Sequence, residues 1–477
     1  MRNSGRLGAR GRPGWSRDRG VPTGTGPPAG RRASSSQGLG ARVRRAPEGA
    51  RHTFRVRILV VSNLYPPIQV GGYELRCAVT ARWLAREHDV CVLTSRPGRG
   101  KLESESHVLR QLPLLPGDWR GTLRAPFASL YAARLMRRLV RRFSPDLVFV
   151  WNASRIPRAA VYAAWDAGCS VAFSVADPWF GGFVEGDQFL RYLGGRDRGL
   201  HRAWGSIVRL SNRMPGLRVK PDAVRHASIV WNSEALRRMT PIPPSIAPLL
   251  ERMIYPATQH EGLLSSIERV PSPTPTIAFV GRLEWQKAPD VAVRAVALLR
   301  DRHGIDARLV IVGSGDSAPM RELERLVAEL GMEDRVSMRG QLAPQGVAEV
   351  LASAHALLVP SRWQEPFGLV CLEGALARTP VVAALSGGMP EMLEAGSEAL
   401  FFPIDDVDAC AAALAVTLTD EAATAERVRA AFKRAGTYSM ERYRAQYDAF
   451  VADAVAVSSP EPLGASARYG ASGRALA

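Results

Sequence analysis

Residues 355–380 read HALLVPSRWQEPFGLVCLEGALARTP and contain the turn on which the interpretation of the whole chain depends. A short apolar run ends at a proline, and after a polar turn a second apolar run follows with helical spacing. Pro366 and Gly368 interrupt regular structure between the two runs. The pattern predicts a buried strand, a turn and a helix that begins near Gly368, with Glu365 just before the helix and Glu373 about one turn inside it.

The first turn of the predicted helix is a candidate phosphate site. Its backbone N–H groups have no helical partners, and the positive end of the helix dipole favours an anion. Glu365 and Glu373 could then bind the two ends of a ligand whose phosphates lie between them, and a sugar nucleotide has this shape. The alternative is an acid that the helix dipole alone favours near a helix start, which fits Glu373 poorly because it lies a turn inside an apolar helix.

Glu365 and Glu373 enclose seven residues, and this E-x7-E arrangement resembles the signature of retaining glycosyltransferases of family 4. Four segments follow one another in the family's order: GRLEWQK from Gly281, VGSGD from Val312, EPFGLVCLE from Glu365 and GGMPE from Gly387. The resemblance extends over roughly residues 57–457 and is strongest in the second half. It implies the GT-B fold, in which two domains face each other across a cleft.

The length and composition agree with two globular domains. A chain of 477 residues is too long for one ordinary core. No run reaches the ~18 apolar residues of a membrane-spanning helix, and the start lacks the apolar segment of a secretory signal. The five cysteines are scattered and are typical of buried, reduced thiols. We therefore expect a cytoplasmic protein.

The N-terminal tail, residues 1–54, is rich in Arg, Gly, Ser and Pro and lacks apolar periodicity. Residues 1–57 hold fourteen Arg and two acids, which is +12 of the net charge of +18. We predict a disordered tail, or a region upstream of the true start. A nucleic-acid-binding arm and an organelle transit peptide are the alternatives, and no nucleic-acid partner is expected.

Strand-like and helical segments alternate from residue 55, stop at a proline-rich passage and then alternate again. This order predicts two α/β domains, each a doubly wound, Rossmann-like parallel sheet, that face each other across a cleft. The predicted divisions are a first domain at 55–240, a linker at 241–275, a second domain at 276–440, a C-terminal helix at 441–457 and a loose tail at 458–477. The resemblance implies that the second domain binds the sugar nucleotide, that the acceptor side is the first domain, and that the last helix packs back on the first domain.

Arg282 and Lys287 follow a predicted strand end, so both cations can project into the cleft. Positioned cations stabilise the negative charge that grows on a departing diphosphate without a metal ion. The resemblance places the donor diphosphate at these two residues. The alternative is a pair of ordinary surface cations.

The resemblance also assigns roles within the E-x7-E segment. Glu365 contacts hydroxyls of the donor sugar, and Glu373 accepts hydrogen bonds from the ribose hydroxyls, a role that suits a carboxylate. The backbone that meets the phosphates belongs to Phe367, Gly368 and Leu369.

Two glycine pairs are further candidates for the donor site. Gly313 and Gly315 belong to a turn after a strand, and their position between the other motifs suggests that they line the nucleotide pocket. Gly71 and Gly72 begin a helix after a strand, where glycine lets the backbone approach a phosphate. Both pairs could also be ordinary loop glycines.

Asp177 is the candidate base on the acceptor side, and it follows a departure from the family's pattern. Many relatives have His-Asp at the end of this strand, whereas this chain has Ala176 and Asp177. The missing imidazole removes a group that could bind the donor sugar or orient the acceptor. Asp177 could accept the proton of the acceptor hydroxyl, or it could be a turn residue before a proline.

Neither a metal ion nor a cofactor is expected, because no set of His, Cys, Asp and Glu has metal-ligand spacing. The donor substrate is a UDP-, GDP- or other nucleoside diphosphate sugar. The acceptor is a hydroxyl of a glycan, a lipid-linked molecule or a small molecule. The sequence does not distinguish among these donors and acceptors.

The segment 128–143 bears on the question of a membrane. Its apolar residues share one helical face and its arginines lie elsewhere, as in a surface helix of the first domain. The alternative is a cationic patch that contacts an anionic membrane, which would suit a lipid-linked acceptor and a peripheral location at the inner membrane face.

We therefore predict a retaining, metal-independent glycosyltransferase that moves a hexose-type unit to an acceptor hydroxyl. By resemblance, the leaving phosphate, stabilised by Arg282 and Lys287, helps to take the acceptor proton. Two alternatives are a sugar-nucleotide epimerase of the same architecture and a non-catalytic protein that binds sugar nucleotides or glycans.

Overall fold

The computed structural model describes residues 55–68, 71–96, 107–195 and 200–458. The predicted tail at 1–54 lies outside the described residues. So does the predicted C-terminal tail, except for Ser458, which ends the last helix.

The first sheet has seven parallel strands in the order β3-β2-β1-β4-β5-β6-β7. The strands are β1 (Arg57–Ser62), β2 (Asp89–Ser95), β3 (Val108–Leu112), β4 (Leu147–Asn152), β5 (Ser170–Val175), β6 (Arg225–Trp231) and β7 (Ile246–Met253). The helices between and after them are α1 (Gly72–Leu84), α2 (Trp119–Phe143), α3 (Ala159–Asp166), α4 (Leu200–Ser211), α5 (Glu234–Met239) and α6 (Glu261–Ser266).

The second sheet has six parallel strands in the order β10-β9-β8-β11-β12-β13. The strands are β8 (Thr276–Val280), β9 (Arg308–Val312), β10 (Val336–Met338), β11 (Ala356–Val359), β12 (Val381–Ala384) and β13 (Leu400–Phe402). The helices are α7 (Pro289–His303), α8 (Ser317–Glu329), α9 (Pro344–Ser353), α10 (Leu369–Leu376), α11 (Met389–Met392), α12 (Val407–Thr419), α13 (Glu421–Ala435) and α14 (Met440–Ser458).

Each sheet is covered on both faces, and β1 shows why its sequence is a continuous apolar run. Leu59 and Val61 enter one core of the first sheet, whereas Ile58 and Val60 enter the core on the other face. Alternate side chains of a strand point to opposite faces, so a strand buried on both faces is apolar throughout. The prediction of two doubly wound, Rossmann-like domains is confirmed.

The strand orders position the functional site. In the first sheet the order reverses between β1 and β4, and in the second sheet it reverses between β8 and β11. Ligands of open parallel sheets bind at such switch points, outside the carboxyl ends of the strands. The loops after these four strands are therefore the places to look for a site.

The last helix, α14, packs on the first sheet. The Tyr447 ring stacks on Trp151 of β4 with 5.6 Å between ring centroids, and its hydroxyl lies 3.0 Å from the hydroxyl of Ser174. Phe450 contacts Phe149 with a centroid distance of 5.9 Å. The helix thus connects the end of the second domain to the core of the first.

Part of the predicted linker at 241–275 belongs to the first sheet, which corrects the boundary at residue 240. β7 pairs with β6 in parallel from Ile246 to Met253. Its burial pattern is mixed because it is an edge strand, so its sequence lacks the apolar run of the central strands. β3, at the opposite edge, also has a mixed burial pattern, and its sequence VLRQL is not a continuous apolar run that would predict a strand.

Helix α2 begins at Trp119, nine residues before the predicted segment 128–143. The Asp118 side chain caps the start by accepting hydrogen bonds from the N–H groups of Arg120 and Gly121. Pro126 lies inside the helix, where proline normally ends a helical pattern. The pattern that follows this proline therefore covers only the later part of the helix.

Two further findings bear on the sequence predictions. Cys77, Cys371 and Cys410 are buried free thiols, whereas Cys91 and Cys169 are half-buried. Across the described ranges, no helix combines the length and apolar character required to cross a membrane.

Candidate active site

A cavity of about 560 Å³ lies between the two domains, at the carboxyl ends of the central strands of both sheets. Its first-domain wall includes the loop after β1 at Asn63, the start of α1 and the loop after β4. Its second-domain wall includes the loop after β8 at Gly281 and the loop from β11 to α10. The cavity therefore occupies both topological switch points at once.

Lys287 and Glu365 form an ion pair in this cavity. The Lys287 ammonium lies 2.5 Å from Glu365 Oε1, and the exposed fractions of the two side chains are 25% and 9%. The Ser361 hydroxyl donates to the same carboxylate oxygen at 2.6 Å. Backbone hydrogen bonds join the two loops that carry the pair, since the N–H groups of Arg362 and Trp363 donate to the Gln286 carbonyl. The turn after β11 thus holds the turn after β8 in place.

The segment GGMPE, which begins at Gly387, packs against the backbone of Glu365. Gly388 donates its N–H to the Glu365 carbonyl at 2.7 Å. Gly387 has a φ of +54°, and a Cβ atom added there would lie 2.0 Å from the Glu365 carbonyl oxygen. Only glycine fits so close to the Glu365 carbonyl oxygen, so Gly387 and Gly388 of the GGMPE segment together hold the backbone of Glu365 in place.

The predicted helix start near Gly368 is present. Gly368 is the residue before α10, and a Cβ atom there would lie 2.5 Å from Met389 Cγ. Phe367, Gly368 and Leu369 all line the cavity at the first turn, although Phe367 is otherwise buried. The free N–H groups and the dipole of this turn give the cavity a site for an anion.

Gly71 and Gly72 line the opposite wall, next to the same helix start. The Glu74 carboxylate accepts the Gly71 N–H at 2.9 Å and so caps α1. A Cβ atom on Gly72 would lie 4.0 Å from Leu369 Cδ1. The starts of α1 and α10 therefore approach each other across the cavity.

Arg282 also lines the cavity, but its guanidinium pairs with Glu284. Nη1 lies 2.8 Å from Glu284 Oε1, and the Arg282 side chain is 44% exposed. Such an exposed pair contributes little to stability, so Arg282 can change partner at low cost when an anion binds.

Asp177 lies at the end of β5, beside Ala176, and both line the cavity. Its two carboxylate oxygens accept hydrogen bonds from the Trp179 N–H at 3.0 Å and from the Asn152 amide at 3.1 Å. Burial raises the pKa of Asp177, although these donors partly oppose the shift. Asp177 therefore combines the predicted turn role with a position at the site.

Glu373 lies beyond the cavity lining, one turn into α10. Its Oε1 atom accepts a hydrogen bond from the Thr258 hydroxyl at 3.0 Å. Burial raises the pKa of Glu373, and the Thr258 hydrogen bond partly opposes the shift. Its contact with a ribose stays a prediction.

Gly313 and Gly315 pack behind the loop after β8 rather than in the cavity lining. A Cβ atom on Gly313 would lie 1.8 Å from the Gly281 carbonyl oxygen, and one on Gly315 would lie 2.4 Å from the Leu283 carbonyl oxygen. Their glycine character is thus required by close backbone packing that shapes the loop of Arg282. Their contact with a nucleotide stays a prediction.

Three of the cavity residues that the sequence analysis did not single out carry a charge or an amide that has no partner in the described ranges. Arg76 on α1 and Arg155 after β4 add positive charge to the first-domain wall. Asn232 follows β6, is 4% exposed, and its amide nitrogen has no hydrogen-bond partner within the described part of the chain. The one available signal was position near the end of a strand, since Asn232 directly follows β6 and Arg155 lies three residues after β4.

The geometry agrees with comparisons to known proteins. Residues 264–436 match the family described as glycosyl transferases group 1, and residues 71–213 match the glycosyl transferase 4-like domain. The chain is 34% identical over 437 residues to D-inositol 3-phosphate glycosyltransferase of Corynebacterium aurimucosum, covering 85% of this chain and 98% of the relative. It is 35% identical over 190 residues to the protein of that name from Corynebacterium glutamicum, covering 39% of this chain and 45% of the relative.

Solved structures share the fold at low sequence identity. Sucrose-phosphate synthase of Thermosynechococcus elongatus has a TM-score of 0.61 and 20% identity, covering 84% of this chain and 99% of that chain. Anabaena HepE in complex with UDP and glucose has a TM-score of 0.58 and 19% identity, covering 84% and 100%. Because the full-length relative is more than 30% identical and both family regions match, the chain belongs to the group 1 glycosyltransferases.

Proposed function

We propose that the protein transfers a sugar from a nucleoside diphosphate sugar to a hydroxyl of a phosphorylated, inositol phosphate-like acceptor, with retention of anomeric configuration. One observation carries this proposal: the cavity has cations on both walls. Arg282 and Lys287 lie on the second-domain wall, and Arg76 and Arg155 lie on the first-domain wall. A donor diphosphate and an acceptor phosphate would each find positive charge there.

On the donor side, the diphosphate binds between the start of α10 and the two second-domain cations. Lys287 is already positioned by Glu365 and shares its charge with that carboxylate. Glu365 also lines the cavity, so in this proposal one residue both positions Lys287 and accepts hydrogen bonds from hydroxyls of the donor sugar. Glu373 binds the ribose in this proposal, and the base of the nucleotide is left open.

The reaction is a displacement on one face of the sugar. The bond between the anomeric carbon and the diphosphate oxygen breaks with its electron pair on the diphosphate, and the acceptor oxygen bonds to the same face. The acceptor proton passes to the departing phosphate oxygen. Arg282, Lys287 and the N-terminus of α10 stabilise the charge that develops on the diphosphate. The scheme requires neither a covalent intermediate on the enzyme nor a metal ion.

On the acceptor side, the support comes from charge and from the named relatives. The two Corynebacterium relatives reported above are both named D-inositol 3-phosphate glycosyltransferase. Arg76, Arg155 and Asp177 all line the cavity. In this proposal the two arginines bind the acceptor phosphate, and Asp177 accepts a hydrogen bond from the reacting hydroxyl of the same acceptor. Asp177→Asn keeps an oxygen for the Trp179 N–H but removes the charged acceptor that orients the acceptor hydroxyl toward the anomeric carbon, so it should lower kcat by about 10- to 100-fold without unfolding the protein. Unchanged kcat would restrict Asp177 to its turn.

The test is a transfer assay with purified protein. UDP- and GDP-sugars are each incubated with D-inositol 3-phosphate, with unphosphorylated inositol or without acceptor, in the presence of EDTA. We expect acceptor-dependent product whose anomeric configuration, read by NMR, equals that of the donor, and a KM for the phosphorylated acceptor that Arg155→Ala raises. Inverted product, epimerised donor without acceptor, or donor binding without turnover would each overturn the proposal.

A further inference from the structure

Helix α2 exposes a line of large apolar side chains. Trp119, Leu123, Phe127 and Tyr131 recur every four residues, and their exposed fractions are 66%, 48%, 75% and 51%. Residues four apart lie above one another on a helix, so the four side chains form one stripe over three turns. The opposite side of α2 supplies its buried residues to the core. The stripe is therefore exposed to solvent, and packing of α2 against the core does not account for its large apolar side chains.

The same helix carries a strong positive charge. The 25 residues of α2 contain no Asp or Glu. The exposed arginines of α2 are Arg120, Arg124, Arg134, Arg138, Arg141 and Arg142. We call this set and the apolar stripe together the α2 face. The Arg120 guanidinium lies 5.5 Å from the centre of the Trp119 ring, so charge and apolar surface are interleaved.

The α2 face continues onto the neighbouring segment. Arg134 donates to the Pro215 carbonyl at 3.2 Å, which holds residues 214–216 against the second half of α2. Met214 is 42% exposed, and on α4 the side chains of Ile207 and Leu210 are 53% and 66% exposed. Aliphatic as well as aromatic side chains are thus presented near the arginines.

The α2 face begins next to the active site. The Leu115 N–H donates to the carbonyl of Arg155 at 2.8 Å, and Arg155 lines the cavity. Trp119 follows four residues later as the first helical residue. Anything that binds the start of the stripe is therefore close to the acceptor side of the cleft.

We propose that the α2 face docks the enzyme on the surface of an anionic lipid bilayer, with the acceptor side of the cleft near that surface. The arginines attract the anionic headgroups, and the Trp119–Tyr131 stripe enters the interface between headgroups and acyl chains. Tryptophan, tyrosine and arginine are the residues that favour this interface, because each has an apolar body and a polar end.

The composition of the face favours a bilayer over a nucleic acid. Arginine and aromatic side chains alone would also suit single-stranded RNA, whose bases stack on rings. Leu123, Ile207 and Leu210 offer no ring for stacking, whereas all three gain from transfer into a lipid interface. The proposal concerns location and holds for either a soluble or a lipid-linked acceptor.

The test is co-sedimentation of the full chain with vesicles. Vesicles of phosphatidylcholine containing phosphatidylglycerol are compared with pure phosphatidylcholine vesicles. One variant replaces Arg138, Arg141 and Arg142 by Glu, and another carries Trp119→Ser with Phe127→Ser. The matched control replaces Arg294, Arg321 and Arg429 by Glu, which changes the net charge equally at exposed positions of the second domain. Thermal unfolding verifies that all variants fold.

We expect binding to the anionic vesicles alone, a roughly 100-fold weaker binding for the arginine variant, and little change for the control. The Trp119 and Phe127 variant should bind the anionic vesicles about tenfold or more weakly. The binding that remains should be electrostatic and should disappear at high salt. Absence of vesicle binding, or an equal loss in the control, overturns the proposal. Binding of poly(U) RNA that only the arginine variant abolishes, with no vesicle binding, assigns the face to nucleic acid instead.

Discussion

The ammonium of Lys287 lies 2.5 Å from Oε1 of Glu365, so two residues 78 positions apart share one ion pair in the cleft. The pair is largely shielded from water, and Ser361 provides a second hydrogen bond to the carboxylate. The position of the Lys287 cation is therefore fixed before a ligand arrives, and in the proposed function that ligand is the donor diphosphate. Preorganisation of this kind avoids the cost of orienting a long side chain during the reaction.

Lys287→Ala should reduce kcat by roughly 100- to 1000-fold, because the growing charge on the diphosphate loses its nearest fixed cation. It should also lower the free energy of unfolding by about 3 kcal/mol, because Glu365 is left buried and unpaired. Steady-state kinetics and urea denaturation measure the two effects. The double variant Lys287→Ala with Glu365→Gln should regain stability but not turnover.

Lys433→Ala is the matched control, since Lys433 is an exposed lysine of α13. It should leave kcat and stability unchanged. A Lys287→Ala enzyme with near-normal kcat would remove Lys287 from the proposed donor site.

Gly387→Ala should destabilise the protein far more than Gly396→Ala. Both glycines have positive φ values, +54° and +86°, so both alanines carry a similar backbone strain of about 1–2 kcal/mol. A Cβ atom at Gly396 meets nothing within 4 Å, whereas one at Gly387 would lie 2.0 Å from the Glu365 carbonyl oxygen. We expect about 3 kcal/mol of additional loss at Gly387 by urea denaturation, together with reduced kcat. Equal losses at the two positions would contradict the role of Gly387 in positioning Glu365.

Glu373→Gln should have opposite effects on stability and on nucleotide binding at neutral pH, and its effect on stability should depend on pH. Burial raises the pKa of Glu373 above its ordinary value of 4.5, so the folded state takes up a proton more readily than the unfolded state. Wild-type stability relative to the variant is therefore greatest below pH 4.5 and falls as the pH rises through the raised pKa. At pH 7 the free protein should be more stable as the glutamine variant, while its affinity for nucleoside diphosphates should fall.

Urea denaturation at several pH values and isothermal titration with UDP and GDP measure these two quantities. Glu324→Gln, at an exposed position of α8, is the control and should change neither. If Glu373→Gln binds nucleotides as tightly as the wild type does, the proposed ribose contact is wrong.

Asn232→Ala should weaken ligand binding about tenfold with little loss of stability. The buried Asn232 amide nitrogen lacks a partner among the described residues, so removing it leaves no protein acceptor unsatisfied. A ligand in the cavity would supply that partner. Asn212 is the contrasting amide, because its side chain both donates to and accepts from Val219 at 2.8 Å.

Asn212→Ala should therefore lower the free energy of unfolding by about 1–3 kcal/mol and leave ligand binding unchanged. Thermal unfolding with and without ligand compares the two variants. A loss of stability at Asn232 without any loss of affinity would show that its amide serves the fold alone.

The local pattern of the sequence was sufficient to predict the two parallel sheets and the start of α10 near Gly368. Central strands such as β4 are buried on both faces and are therefore apolar throughout, which makes them recognisable. The edge strands β3 and β7 are harder to recognise from the sequence. Several of their side chains are partly exposed, so these strands need not be apolar throughout. Helix α2 was predicted too short because Pro126 imitates a helix boundary, and the capping role of Asp118 was overlooked.

For the site, sequence order placed Arg282, Lys287 and Glu365 at the ends of strands, and the family signature gave their proposed roles. The sequence by itself determined the fold class and the family, because strand periodicity and motif order are properties of neighbouring residues. Only the tertiary structure decided that Lys287 pairs with Glu365, that Gly387 packs beneath it and that Asn232 remains without a partner. These relationships depend on which strands become neighbours in the sheets and how the two domains face each other, and neither is encoded in local spacing.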